Sequence, residues 1–302
     1  MPQIWEDVLP LWADLKQSTQ QFYTELDNYG LIACMGPDAA TFLQGQISAD
    51  VSQAKDKPIG GVYAQIKGRV IANFWLMAHA DGYLLLLPKD LIESTKATLK
   101  KYGAFSKVSL EDVSNQYTVY GLINCKNGEW PKHIAKIEFA KPLLHHLLIC
   151  NKRLEFQEAS SINNKAWDWL MMQQGIATIN PKISGEYTPH HLNFVNLGFV
   201  SFNKGCYLGQ EIIARMQYRG KLKQHLYLCE LESSAPPTLN MSLHVDEKSI
   251  GNVINSLDLT ANTYCILALL TDKEVEGKKS IPLNKTSTLN ILHCFKNDEE
   301  PA

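Results

Sequence analysis

Near residue 222 the chain changes character, and that change limits the architectures open to it. Before it, runs of helical and strand periodicity alternate. After it only short strand-like runs appear, over 223–232, 242–247, 249–256, 262–271 and 287–295, separated by turns rich in Pro, Asp, Glu, Lys and Asn. Short strands punctuated in this way read as a small antiparallel barrel. With 302 residues the chain can hold more than one domain and a sizeable core. The expectation is a mixed α+β domain over 1–222 and a C-terminal β-barrel over 223–302.

Within the first part, Trp5, Leu9, Leu11, Trp12 and Leu15 suggest a short amphipathic helix ahead of a polar stretch reaching residue 28. Tyr29 to Met35 reads as a strand, and Gly36-Pro37-Asp38 opens a helix ending near Gln44-Gly45. Strands are expected over 60–66, 70–79 and 83–87. A helix from Pro88 to about Lys101 follows, carrying Leu91, Ile92, Thr95 and Leu99 on one face. Further strands are expected near 105–111, 116–124 and 143–150, then a helix over 161–174 stopped by Gly175. Trp167 and Trp169 lie two apart on that helix, so one of them is expected to face a cavity or an interface. From Pro181 to Asn203 the chain is loop-rich, a length that in a compact domain usually serves function.

That loop leads into Lys204-Gly205-Cys206-Tyr207-Leu208-Gly209-Gln210-Glu211, followed at once by an apolar helical run through Arg215. A helix starting near Leu208 or Gly209 points its unpaired amides and positive dipole end at Cys206. With Lys204 beside it, that field favours a thiolate. Glu211 and Arg215, four apart with the acid first, are spaced for an ion pair. A free cysteine is also commonly a small buried hydrophobe, so on spacing alone both readings of Cys206 stand.

Charge and cysteine usage narrow the function classes. With 29 basic and 31 acidic residues the net charge is −2, which is not the footprint of a dedicated nucleic-acid binder. Arg215, Arg219, Lys221 and Lys223 form one local basic cluster, read here as a solvated face. No apolar run is long enough for a membrane span, and the N-terminus lacks the pattern of a signal peptide. The seven scattered cysteines include no CxxC pair, which suggests neither a disulfide framework nor a zinc site and fits a reducing cytoplasm. His145-His146 lies inside an apolar strand and reads as one buried and one exposed histidine, not as a metal site.

The motif itself resembles the YgfZ family, folate-binding proteins related to the aminomethyltransferase (T-protein) of the glycine cleavage system. The likeness extends to Gln44-Gly45-Gln46-Ile47-Ser48-Ala49-Asp50-Val51, to Lys101-Tyr102 through Phe105-Ser106-Lys107-Val108, and from Trp167 through Gly175, Pro189 and Asn193 to Arg219-Gly220. It implies a T-protein-like fold, two interleaved α/β subdomains around a central channel, closed by the C-terminal barrel. It implies folate, as tetrahydrofolate or a derivative, held by Trp167 and by Tyr29, the latter standing where the family has a second tryptophan. Arg215 or Arg219 would then lie near the anionic tail or the motif loop.

Where the related aminomethyltransferases carry carboxylates, this chain reads Ala72-Asn73. An amide neither takes a proton nor holds a developing cation at neutral pH, so aminomethyl transfer by that mechanism is not expected. Asn73 is left to orient a ligand or to satisfy local backbone. Cys206 replaces an acidic residue of the aminomethyltransferases, a change from hard oxygen to redox-active sulfur. One cysteine cannot hold a cluster alone, so any contact with an iron–sulfur cluster is transient. With the resemblance added, Cys206 reads as a functional thiol of lowered pKa. His191 stands where many relatives have an acid and reads as an exposed loop residue. The resemblance implies a cytoplasmic, folate-dependent accessory factor in iron–sulfur cluster assembly or repair, with iron–sulfur enzymes or cluster carriers as partners and an indirect effect on tRNA modification; a monomer is expected. A folate-dependent one-carbon transferase or demethylase and a direct tRNA-binding module are the competing readings.

Overall fold

The computed structural model describes residues 20–125, 132–157 and 159–296. The helix expected around Trp5 to Leu15 and the tail from Asp298 lie outside the described residues. The rest forms three sheets. The first has the order β10-β1-β7-β9-β8, from β1 (Gln21–Glu25), β7 (Thr118–Ile123), β8 (Ala135–Phe139), β9 (His145–Cys150) and β10 (Ala159–Ser161). Only β1 and β10 pair in parallel. The second is antiparallel in the order β3-β4-β5-β2-β6, from β2 (Tyr29–Met35), β3 (Ile59–Ala64), β4 (Val70–His79), β5 (Gly82–Pro88) and β6 (Ser109–Asp112).

The third sheet follows the change of character read near residue 222. β11 (Gln224–Glu232), β12 (Ser242–Val245), β13 (Lys248–Thr260), β14 (Thr263–Thr271), β15 (Ser280–Asn284) and β16 (Ser287–Cys294) pair in the order β12-β13-β14-β11-β16-β15, all antiparallel. Its edge strands β12 and β15 approach each other, so the sheet curls into a nearly closed barrel. Closure removes exposed edges that would otherwise pair with other chains. The fold is α+β with a C-terminal barrel, as expected.

Among the described residues there are five α-helices, α1 (Ala39–Gln46), α2 (Ile92–Tyr102), α3 (Asn164–Gln173), α4 (Gln210–Arg219) and the short α5 (Asp272–Val275), besides three short 3-10 turns. α2 buries Ile92, Thr95 and Leu99, the stripe read from the sequence, with Leu91 buried just ahead of it. One core runs through the first two sheets, α3 and the near face of the barrel, taking in Leu226, Leu228, Ile254, Cys265 and Leu267. A second core fills the barrel, with Cys229, Val253, Ile266 and Leu289. No described helix is long and apolar enough to cross a membrane.

The strands β1, β8, β10 and β15 were not anticipated. β1 (QFYTE) alternates partly buried and buried residues, with Phe22 and Thr24 inward, but its polar half resembles the stretch before it. His145 and His146 are both buried rather than one in and one out. β9 is covered on both faces, and each ring finds a polar partner, Leu143 O for His145 and Glu138 for His146.

Candidate functional site

The predicted site residues fall into two groups. The first gathers around α3, which is opened by Asn163, whose side chain accepts from the Lys165 amide. α3 packs against β1 on one side and against β13 and β14 of the barrel on the other, and Lys165 forms an ion pair with Asp258 on β13. Covered from both sides, it buries both tryptophans: Trp167 is 0% and Trp169 2% exposed. The expectation that one of them faces an opening is therefore not met. A Cβ at Gly121 on β7 would run into the Trp167 ring, and the edges of Phe139 and His145 close on it at centroid distances of 6.0 and 5.4 Å.

Tyr29, at the start of β2, brings its hydroxyl beside the Trp167 indole and the Thr178 side chain, and burial raises its pKa. Trp167 Nε1 is buried with no acceptor at ordinary hydrogen-bond geometry among the described residues, and the Tyr29 hydroxyl is its polar neighbour. Asp168 also reaches this place, its charge felt at the Tyr29 hydroxyl. Burial alone lifts the Asp168 carboxyl to about 6, and it forms no hydrogen bond or ion pair among the described residues. Sequence reasoning passed over Asp168, although a lone acid within the apolar run Ala166 to Met172 was the available signal. Asn73, midway along β4, accepts from the Ile179 amide at 3.2 Å and so holds the segment that carries Thr178. Asn255 of the barrel fixes the same segment, accepting from the Thr178 amide at 3.0 Å and donating to its carbonyl at 2.8 Å.

The second group is the motif loop. Lys204 Nζ donates to the carbonyls of Gln44, Ile47 and Ala49, each at 2.8 Å. Burial draws its pKa down to about 8, and Asp50 works the other way. The ammonium is thus committed to the end of α1 and the turn beyond it. Tyr207 packs its ring 5.1 Å from that ammonium, and burial pushes its own hydroxyl up to about 12. Leu208 donates to Gly45 O, Ser201 to Ser48 O, and Ser48 Oγ to Phe199 O. The block Gln44 to Val51 is therefore the bed on which the motif lies.

α4 begins at Gln210, with Gly209 as N-cap at φ +80°. A side chain at Gly209 would be strained by that angle and would also strike Gln65 O. Gln210 Oε1 accepts from the Tyr207 amide at 3.2 Å, closing the turn. Gly205 faces open space and Cys206 is exposed, while the other six cysteines are buried or partly so. Glu211 and Arg215 are exposed and do not form the ion pair their spacing suggested. The turn before β4 ties the groups to one strand: Gly68 touches Ile212 and Gly209, and Asn73 lies roughly 17 Å further on at about 3.3 Å per residue. The structure does not place Arg215 beside Trp167 and Tyr29. A run of touching rings, Phe199, Trp75, Phe139 and Trp167, also connects them.

His191 is not an exposed loop residue. It is partly buried, and burial, followed by His190, His225 and Arg69 nearby, lowers its pKa to about 4. Among the described residues no group of three or more His, Cys, Asp or Glu could hold a metal ion.

No family model matches the sequence. The architecture is that of the T-protein class of α+β proteins: aminomethyltransferase T of the glycine cleavage system from Bartonella henselae superposes with a TM-score of 0.70, over 94% of this chain and 88% of that one, at 14% identity. Nearer in sequence are proteins called tRNA-modifying protein YgfZ. That of Aliivibrio fischeri (strain MJ11) is 31% identical over 248 residues, 76% of each chain. That of Colwellia psychrerythraea is 29% identical over 264 residues, 78% of this chain and 79% of the other. The chain belongs to the YgfZ family.

Proposed function

We propose that this protein is a cytoplasmic, folate-binding accessory factor in iron–sulfur cluster assembly or repair, through which it affects tRNA modification, methylthiolation in particular. A role in tRNA modification follows the name its relatives carry. The observation that carries the sulfur chemistry is the placement of Cys206, exposed in a loop that Lys204, Tyr207 and Gly209 pin by carbonyl, ring and N-cap contacts. The cluster is cargo, met transiently, because one thiolate leaves most of its ligands to another molecule.

What supports the folate reading is the chemistry of the residues around α3: among the described residues the buried indole N–H of Trp167 lacks an acceptor of ordinary geometry, the Asp168 carboxyl lacks a donor, and the Tyr29 hydroxyl lies beside the indole. Trp167, Tyr29 and Asp168 would hold the ring, while Asn73 secures the segment behind it. When bound, folate supplies a one-carbon carrier or a redox-active ring. Aminomethyl transfer remains disfavoured, since Ala72 has no functional side chain and the Asn73 oxygen is engaged with Ile179.

The test is Cys206→Ala in cells lacking the native protein. Loss of cluster-enzyme activity and of tRNA methylthiolation is expected, with protein level unchanged. Full activity in that strain would remove the sulfur from the function. Direct tRNA binding has one observation in its favour. Arg215, Arg219, Lys221 and Lys223 are exposed and make no ion pair among the described residues, beside Tyr218, which is 71% exposed. Salt-sensitive tRNA binding by the purified protein, lost on reversing those charges, would establish it.

A further inference from the structure

We propose that the β3–β4 turn, the motif loop and the outer face of α4 form one docking surface, whose partner is a protein with an acidic rim around an apolar patch. The proposal rests on the reading of Cys206 above and assigns the surface that brings a cluster-bearing partner to that sulfur.

The case begins with exposed apolar side chains. Among the described residues the large ones are Ile66, Tyr102, Phe105 and Tyr218, and two of these stand at the motif loop. Ile66, 72% exposed, lies in the turn between β3 and β4. The carbonyl of Gln65 beside it packs so closely on the motif that a Cβ at Gly209 would lie 2.4 Å from it. Tyr218 on α4 sets its ring edge-on to Phe202, two residues ahead of Lys204, at a centroid distance of 5.9 Å. The loop presenting Cys206 therefore touches the supports of both side chains. Exposed apolar groups gathered in this way mark interaction sites.

Charge names the partner. Lys67 in the turn, and Arg215, Arg219, Lys221 and Lys223 along and just beyond α4, are exposed and make no ion pair among the described residues. The acid of α4 is Glu211 alone, and Arg69 near the turn is answered by Glu186 at 3.9 Å. Arg215 and Arg219 are like charges one helical turn apart, an arrangement that does not help α4 itself. The whole chain carries −2, so this face is a local excess of cations. Arginine and tyrosine are the side chains that protein interfaces favour. A nucleic acid would meet the cations and stack on Tyr218, but Ile66 has no flat face for a base. A protein with carboxylates around an apolar patch answers every group, and a cluster-bearing one brings the thiolates that a lone Cys206 cannot supply.

The experiment places Ile66→Asp, Tyr218→Asp and the double variant Arg215→Glu/Arg219→Glu in cells lacking the native protein, beside wild type, Cys206→Ala and Phe105→Asp. Phe105 is the control: it is fully exposed, on a loop held through the Lys107 amide to Asp38 ahead of α1, whereas the motif loop is held at the other end of that helix. Cluster-enzyme activity is measured in cells. Thermal melts and the rate of Cys206 alkylation by iodoacetamide are measured on the purified full chains. Ile66→Asp and Tyr218→Asp are each expected to lower activity about 3- to 10-fold, and the charge reversal about 10-fold, with melting and alkylation unchanged. Phe105→Asp is expected to match wild type. With p-benzoylphenylalanine in place of Ile66, irradiation of the cells is expected to give an adduct that protease removes and nuclease does not. Its captured component is expected to be an iron–sulfur protein, and the charge reversal to abolish it.

If Cys206→Ala loses activity while the three surface variants stay within twofold of wild type, the docking inference falls and the sulfur reading stands. If Cys206→Ala keeps full activity as well, both fall. A nuclease-sensitive adduct gives the face to RNA and overturns the inference, as does the absence of any protein adduct. A surface variant whose melting temperature or alkylation rate falls with its activity also overturns it, because the side chain then supports Cys206 instead of meeting a partner. An equal loss in Phe105→Asp does the same, since the effect would not belong to this face.

Discussion

Replacing Asp168 by Asn should make the ligand-free protein more stable at neutral pH, and this separates a residue kept for binding from one kept for structure. Burial raises the carboxyl from the ordinary 3.8 to about 6. Between those values the folded state holds a proton that the unfolded chain has lost, so stability falls as pH rises through the window. At 1.36 kcal/mol per unit the full shift corresponds to about 3 kcal/mol, and partial solvent access reduces this to about 1–2 kcal/mol. The amide carries no charge and escapes that cost. Urea unfolding of wild type and Asp168→Asn, at pH 4 and at pH 7.5 without ligand, measures the difference. The two proteins should be close in stability at the lower pH, with the variant ahead by about 1–2 kcal/mol at the higher. Comparison within each pH cancels the other titrating groups, among them His145 and His191, both lowered to about 4. A variant less stable than wild type at pH 7.5 would show that the carboxylate has a structural partner, and the reasoning about Asp168 would fail with it.

Two further substitutions address the motif loop. Lys204→Met removes the donor for three carbonyls at once and should cost about 3 kcal/mol in urea unfolding, each unsatisfied acceptor contributing about 1 kcal/mol; a loss under 1 kcal/mol would mean that water replaces the ammonium. Gly209→Ala combines a left-handed backbone angle with a clash against Gln65 O. It should lower stability by about 2–4 kcal/mol, while Gly205→Ala, facing open space, stays within about 0.5 kcal/mol; equal effects in the two variants would refute the distinction.

Elements with a strong internal period were legible in the sequence. α2 announced itself through Ile92, Thr95 and Leu99, and β4 through the apolar run over 70–79. Shorter strands were not, because their fate is set by partners distant in sequence. β10 has three residues, and its pairing is with β1, more than a hundred positions earlier. β15 (SIPLN) is an edge strand, with little apolar pattern to betray it. The tryptophans of α3 misled for a related reason. Two opposed apolar faces on one helix imply an opening only if one side lacks cover, and the barrel that supplies cover lies far along the chain. Asp168 went unnoticed because its significance lies in being largely buried with no partner among the described residues, which composition and spacing do not reveal.

The motif can be divided by asking what each residue does for folding. Lys204 ties the loop to the end of α1, Tyr207 packs beneath it, Gly209 permits the approach of Gln65, and Gln210 closes the turn. Gly205, Cys206, Glu211 and Arg215 contribute nothing comparable: they are exposed and make no side-chain hydrogen bond or ion pair among the described residues. The first set determines where the second set stands. A flexible loop presenting a thiol would lose conformational entropy on meeting a partner, and a loop already held by three carbonyl contacts and a left-handed glycine N-cap has little left to lose. Rigid support beneath an exposed sulfur is therefore what a transient encounter requires, and it is a poor use of residues if Cys206 were only one more surface position.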